Sequence, residues 1–304
     1  MTILVGGEAL YDLVVRGEET IDAHTGGGPF NTARTIARLE QPVSFLGRLS
    51  TDRFGARLER MLAGDGVDLS ATTRTGDPTT LALAELDTDG AARYRFYVSG
   101  TSAPGLTADQ ALAVLPDAVE MLHVGTLGLV FEPIASALEA VVERLADAAL
   151  VAVDPNCRPA AIDDEPAYRS RLARVLRRTH LLKVSEEDLA WITPARPPLE
   201  AAGALLDAGP AAVLVTRGSD PVAVVSQGGV SEVPAVAVDV VDTIGAGDAF
   251  GGGFLAWWRS HGLGPDALGD HGLVVEGARF AARVAALTCT RPGASPPRLS
   301  ELNL

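Results

Sequence analysis

The chain predicts an α/β fold with a doubly wound, mostly parallel central sheet, helices on both faces and a small antiparallel β lid. Three observations predict it. Short, continuous apolar runs recur along the sequence, as in strands covered on both faces. Amphipathic stretches of helical period lie between them, the alternation expected of a parallel sheet with crossover helices. Two regions break that rhythm with close spacing or period-two patterning, the mark of antiparallel strands.

The apolar runs fall at 3–7 (ILVGG), 43–49 (VSFLGRL), 121–125 (MLHVG), 150–155 (LVAVDP), 181–185 (LLKVS) and 212–216 (AVLVT). Helical patterns cover 29–40, 133–147, 165–179, 246–260 and 272–287. In 29–40, Phe30, Ala33 and Ala37 share one stripe, with Arg34 and Arg38 expected outside it. Residues 10–16 (LYDLVVR) follow the first run too closely for a crossover helix. Residues 79–86 and 92–98 alternate at period two around Asp-Thr-Asp-Gly at 87–90, a hairpin signature. The expectation is one domain over 1–304, with a lid inserted from about 10–22 and 73–100. Such a flap on a parallel core often covers a ligand site.

The 304 residues carry 25 Lys plus Arg against 39 Asp plus Glu, a net charge of −14. That argues against a nucleic-acid-coating role and against anionic membrane surfaces. Only one of the 25 basic residues, Lys183, is a lysine, and it sits in Leu-Leu-Lys-Val-Ser. A Walker A loop needs Gly-Lys-Ser/Thr, so a standard P-loop is excluded, and no His-Arg-Asp or Asp-Phe-Gly of a protein kinase occurs. Cys157 and Cys289 form no CxxC, and the five histidines form no HxH or HExxH. With no secretory n- and h-region and no apolar stretch of 18 residues, a cytoplasmic protein is expected.

The strongest chemical signal is 242–254, Asp-Thr-Ile-Gly-Ala-Gly-Asp-Ala-Phe-Gly-Gly-Gly-Phe. Glycines at a helix start let backbone N–H groups converge on an anion, where the helix dipole also favours negative charge. Asp248 in the first turn is placed to take a proton from a hydroxyl attacking a phosphoryl group. A Gly-rich helix start with a capping Asp is the plain alternative. Gly251, Gly252 and Gly253 inside the helix, each costing about 1 kcal/mol relative to Ala, imply a close approach by a nucleotide or another element.

At this point the chain resembles the PfkB (ribokinase-like) carbohydrate kinases. DTIGAGDAF looks like the family's C-terminal signature. Gly-Gly-Gly-Pro-Phe-Asn-Thr-Ala at 26–33 resembles its N-terminal signature, followed by IARLE and GRLSTDRFG. The resemblance implies that Asp248 is the catalytic base and that Gly245, Ala246 and Gly247 form the anion hole. It puts Asp12, Gly27 and Asn31 on the sugar. Thr216-Arg217-Gly218 resembles the nucleotide-binding loop, and Thr290–Ala294 the loop bordering adenine and a monovalent-cation site, with Asp242 a candidate K⁺ ligand. Where the ribokinase pattern has Asn-x-x-Glu, this chain has Ser185-Glu186-Glu187-Asp188. Asp188 takes the Glu place as a water-mediated Mg²⁺ contact, with Glu187 the competitor. Lys183, beside this segment, is a candidate neighbour of the phosphates or sugar.

Asp-Pro-Asn-Cys-Arg-Pro at 154–159 resembles the DPNxR segment of fructokinases and 2-keto-3-deoxygluconate kinases, placing Asn156 and Arg158 near the substrate. Arg158 would pair with a carboxylate if the substrate were an acid, and a surface ion pair is its plain alternative. Tyr94, Phe96 and Tyr97 of the lid are candidates to cover the sugar. The implied activity is transfer of the γ-phosphoryl group of ATP, with Mg²⁺, to a primary hydroxyl of a small sugar, fructose first. The alternatives are 2-keto-3-deoxygluconate, ribose or a nucleoside, and, from another class, a non-catalytic sugar-binding regulator. A homodimer formed through the lid is the expected assembly.

Overall fold

The computed structural model describes residues 1–16, 20–86 and 92–302; the side chains of 16, 84–86 and 92–94 lie outside that description, as does the expected turn at 87–90. The chain opens with β1 (Thr2–Gly6), β2 (Leu10–Arg16), β3 (Thr20–Gly26), α1 (Gly28–Arg38), β4 (Val43–Ser50), α2 (Arg53–Asp65) and β5 (Thr72–Thr75). It continues through β6 (Leu81–Leu86), β7 (Ala92–Tyr97), α3 (Ala108–Ala113), β8 (Val119–Gly125), α4 (Ile134–Leu145) and β9 (Leu150–Asp154). Next come α5 (Glu165–Leu176), β10 (Leu181–Ser185), α6 (Glu186–Ile192), α7 (Pro198–Leu206) and β11 (Ala212–Arg217). The last elements are β12 (Asp220–Ser226), β13 (Gly229–Val233), α8 (Ala246–Ser260) and α9 (His271–Cys289).

Two sheets result. The central sheet has nine strands in the order β13-β12-β11-β10-β9-β8-β1-β4-β5, and the small one has the order β3-β2-β6-β7. Pairing is parallel from β11 to β5; at the other edge β12 runs antiparallel to both β11 and β13. The expected strands and helices are all present. The start of the proposed lid insertion differs: residues 72–75 pair with β4 in the central sheet, and the small sheet resumes only at Leu81. Four residues of β-prone Thr and Arg extend the central sheet edge there, and no period-two pattern separates them from a lid strand.

Alternation along the central strands divides the core into two layers. Ile3, Val5, Leu181 and Leu214 face α1, α2, α8 and α9. Leu4, Leu182, Val213 and Val215 face α4, α5 and α7. Lys183 follows the parity of Leu181 and so points to the α8 layer. Arg34 departs from expectation. It is 5% exposed, its Nε bonded to Asp65 Oδ2 at 2.7 Å, because α2 packs over the outer side of α1 and supplies a carboxylate. Arg38 shares Asp65, at 2.9 Å. Among the described residues no helix is long and apolar enough to cross a membrane.

The polarity of the strands places the site. The carboxyl ends of β1, β8, β9, β10 and β11 emerge on one edge of the central sheet, where open α/β folds hold ligands. In the small sheet the rows Tyr11–Leu81–Tyr97, Leu13–Leu83 and Val15–Ile21 share one face. The opposite face carries Leu10, Asp12, Val14, Ala82 and Phe96, and these line the cavity below.

Candidate active site

A cavity of about 920 Å³ runs between the small sheet and the strand ends, from Asp12 on the lid to Pro292–Ser295 at the far side. Most of the expected site residues line it: Asp12, Gly27, Asn31, Asn156, Arg158, Lys183, Ser185, Asp188, Thr216, Gly245, Gly247 and Asp248. Ala246, Gly218 and Asp242 do not.

Its floor is the start of α8. Gly245 caps the helix in the left-handed region (φ 77°), and a Cβ there would stand 2.5 Å from that of Ala294, so only glycine lets the 292–295 loop close on the turn. Ala249 N–H is bonded to Gly245 O, and Ala246 N–H turns to Thr243 O at 3.2 Å. Ala246 thus spends its donor on the turn. The N–H groups of Gly247 and Asp248 have no backbone acceptor among the described residues, and they are the anion-binding donors this helix start offers.

Asp248 is held by α1, with Asn31 Nδ2 donating to its Oδ2 at 2.9 Å. Its other oxygen lies 3.2 Å from where a Cβ on Gly28 would sit, facing the Gly27–Gly28 turn. Burial pushes the Asp248 carboxyl up to about 6; the Asn31 hydrogen bond, Lys183 and Arg158 oppose the rise, and Asp154 adds to it. At neutral pH the group is mostly ionised and still basic enough to accept a proton.

The lid wall supplies a second carboxylate. Burial pushes Asp12 up to about 6, against the charges of His24 and Arg158. Arg158 is exposed and anchored by main-chain carbonyls, donating to Cys157 O at 3.0 Å and Asn156 O at 3.4 Å. Among the described residues it makes no ion pair with a carboxylate. Asn156 holds φ 39°, a left-handed conformation that Asn tolerates better than most residues. Phe96 faces the cavity and packs near Phe131, centroids 6.2 Å apart, whereas Tyr97 is half exposed on the other face. The Tyr94 side chain lies outside the described residues.

On the far wall, Ser185 and Asp188 form a capping box that starts α6. Asp188 N–H donates to Ser185 Oγ at 3.0 Å, and Asp188 Oδ2 accepts from Ser185 N–H at 3.4 Å. Asp188 is buried by this role, while Glu187 is exposed on the same wall. Arg217 turns away from the cavity to Pro221 O and Glu232. Asp242 braces the 242–245 and 293 turns, accepting from Ile244 N–H at 3.0 Å and Gly293 N–H at 2.8 Å.

Two acids escaped the sequence reading. Glu8, 4% exposed, accepts from Gly28 N–H at 3.2 Å, Thr126 Oγ1 at 2.5 Å and Gly128 N–H at 3.0 Å. It ties β1, the α1 start and the turn after β8 into one wall. Burial pushes its carboxyl up to about 7. Asp154 ends β9 and pairs with Lys183 Nζ at 2.7 Å. Nothing local marks Glu8 in Gly-Gly-Glu-Ala. For Asp154, an acid closing an apolar run beside the sole lysine was the available signal.

Residues 2–301 match the pfkB family carbohydrate kinase profile. The chain belongs to that family. It is 35% identical over 258 residues to a fructokinase of Rhizobium leguminosarum bv. trifolii, covering 84% of this chain and 78% of that protein. Its fold superposes on a fructokinase with bound ATP from Xylella fastidiosa at a TM-score of 0.89, with 31% identity and coverage of 99% and 97% of the two chains. An aminoimidazole riboside kinase from Salmonella enterica, complexed with aminoimidazole riboside and an ATP analog, gives a TM-score of 0.87 at 26% identity, covering 100% of this chain and 99% of that one. The chain is therefore a carbohydrate kinase, a phosphotransferase with an alcohol acceptor.

Proposed function

We propose that this kinase transfers the γ-phosphoryl group of ATP to a primary hydroxyl of fructose. The observation that carries the reading is Asp248, fixed by Asn31 beside free N–H groups at the start of α8, inside the lidded cavity. The sugar lies on the Asp12, Gly27 and Asn31 side, with Asn156 and Arg158 at its edge, and the nucleotide on the Thr216 and Pro292–Ser295 side. Asp248 takes the proton of the attacking hydroxyl. The new O–P bond forms in line as the bond to the leaving diphosphate breaks, and the Gly247 and Asp248 N–H groups hold charge on the transferred group.

The donor set suits a Mg²⁺ that keeps its waters. Among the described residues no group of three or more His, Cys, Asp or Glu could hold a metal by itself, and Glu187 and Asp188 offer outer-sphere oxygens on the cavity wall. When bound, the ion would neutralise phosphate charge. The Asp242 turn offers only oxygen donors, which suits K⁺, with Gly218 contributing to the nucleotide loop.

Fructose is favoured over an acid sugar on charge. Asp12 and Asp248 face the substrate space with Arg57 and Arg158, while Arg34 and Lys183 on the same cavity are paired to Asp65 and Asp154, so a substrate carboxylate finds no surplus of positive charge. The names of the related fructokinases support the same choice. The outer lid face, with Ile21 and Tyr97 exposed beside Leu13, Val15 and Leu83, supports a homodimer, and two unpaired cysteines suit the cytoplasm.

A coupled assay of ADP release tests the reading across fructose, 2-keto-3-deoxygluconate, ribose and adenosine. Fructose is expected to give the highest kcat/KM. Preference for the acid overturns the charge argument, preference for ribose or adenosine overturns the substrate, and no turnover with any sugar points to a regulator.

A further inference from the structure

Lys183 is 7% exposed on β10, with its Nζ 2.7 Å from Asp154 Oδ2 and 3.0 Å from the position a Cβ on Gly247 would take. The ammonium thus lies directly under the first turn of α8, filling the space that glycine leaves. A guanidinium is broader than an ammonium and would collide with that backbone. This accounts for a lysine here in a chain whose other 24 basic residues are arginine. Three carboxylates surround it: Asp154 at the end of β9, Asp188 on α6 and Asp248 on α8. Asp154 Oδ1 is buried with no hydrogen-bond partner among the described residues, so Lys183 alone compensates that acid.

We propose that the Asp154–Lys183 pair is a positioning device for the transfer step, acting on Asp248 and the Gly247 turn from beneath and not as a ligand of the nucleotide. The inference rests on Asp248 being the base. Lys183 brings one positive charge under a site that must hold an ionised carboxylate close to a triphosphate. Asp154 limits that charge and fixes its place. The groups facing Asp248 are Asn31 of α1, Asp154 of β9, Arg158 of the following loop and Lys183 of β10, so the two members of the pair bear on it with opposite sign.

The test compares Lys183→Met, Asp154→Asn and the double variant in kcat–pH profiles, with ATP KM measured in parallel. Lys183→Met is expected to lower kcat at pH 7 by about 10-fold to 100-fold, to leave ATP KM within about 3-fold, and to move the acid limb up by about one pH unit. Asp154→Asn is expected to move the limb down. The double variant, whose buried site is neutral and therefore the safest to fold, is expected to return it toward wild type. Circular dichroism confirms that each variant is folded. Limbs that stay in place, with ATP KM raised 10-fold or more in Lys183→Met, overturn the proposal and make Lys183 a phosphate ligand. Asp248→Asn measured alongside separates the two readings: normal turnover in that variant removes the base itself, whatever the lysine does.

Discussion

Glu8 joins the end of β1 to α1 and to the turn after β8 through its two carboxylate oxygens. It holds the Gly27–Gly28 turn that faces Asp248, and it leans on Thr126, a β-branched residue at φ 53°. Left-handed backbone at such a residue is strained, and strain of this kind persists where surrounding bonds over-determine it. Glu8→Gln keeps the shape but turns an amide toward a donor. We expect it to cost about 1–3 kcal/mol and to raise the sugar KM more than the ATP KM. The stability loss also has a pH signature. A carboxyl raised from 4.5 to about 7 in the fold makes the wild type lose stability as pH climbs through that window, and glutamine does not titrate. The gap in Tm between the two proteins should therefore shrink from pH 5.5 to pH 8; a gap that widens contradicts the buried acid. At this scale the sequence exposed residues with a chemical motif around them, such as Asp248 and Asn31. Glu8 and Asp154 take their roles from partners 20 to 120 positions away, and no local pattern carries that information.

Helix α8 shows why glycines sit inside a helix. Their cost implies a close neighbour, a nucleotide or another element, and at Gly252 and Gly253 the neighbours are elements. A Cβ on Gly252 would stand 2.8 Å from Thr35 Cβ of α1, and one on Gly253 3.1 Å from Val284 of α9. Gly251 meets nothing within 4 Å. Thermal melts of two alanine variants separate these cases. Gly252→Ala is expected to destabilise by about 1–3 kcal/mol through overpacking, whereas Gly251→Ala is expected to stabilise by about 0.5–1 kcal/mol through helix propensity. Equal effects contradict this reading of the packing. The buried strands and the long helices were legible because their apolar periods are strong. The side of α1 bearing Arg34 is not legible, since a polar stripe gives no sign that α2 covers it and answers the charge with Asp65. The short β5 and the exact join between lid and core were equally silent.

The whole molecule carries −14, so a polyanionic nucleotide approaches a repulsive field. On the proposed reading, binding depends on local devices: the N–H groups at the α8 start and Arg158 at the rim. Arg217, expected among them, is committed to Glu232. Raising ionic strength from 10 to 150 mM with tetramethylammonium chloride shortens the screening length from about 30 to 8 Å. The kcat/KM for ATP should rise about two-fold or more across that range, and a fall would mean that local attraction governs the encounter. The polarity of the sheet assembles the site itself, since five strands deliver their carboxyl ends to one edge and the small sheet, in which β2 and β6 pair parallel, lies over it. Phosphoryl transfer in that cavity turns on Asp248, proposed above as its base. The deciding measurement is steady-state turnover of Asp248→Asn with fructose and ATP, together with fructose binding by calorimetry. If Asp248 is the base, kcat falls by about three to four orders of magnitude with fructose Kd within about three-fold; turnover near the wild-type rate rules that role out.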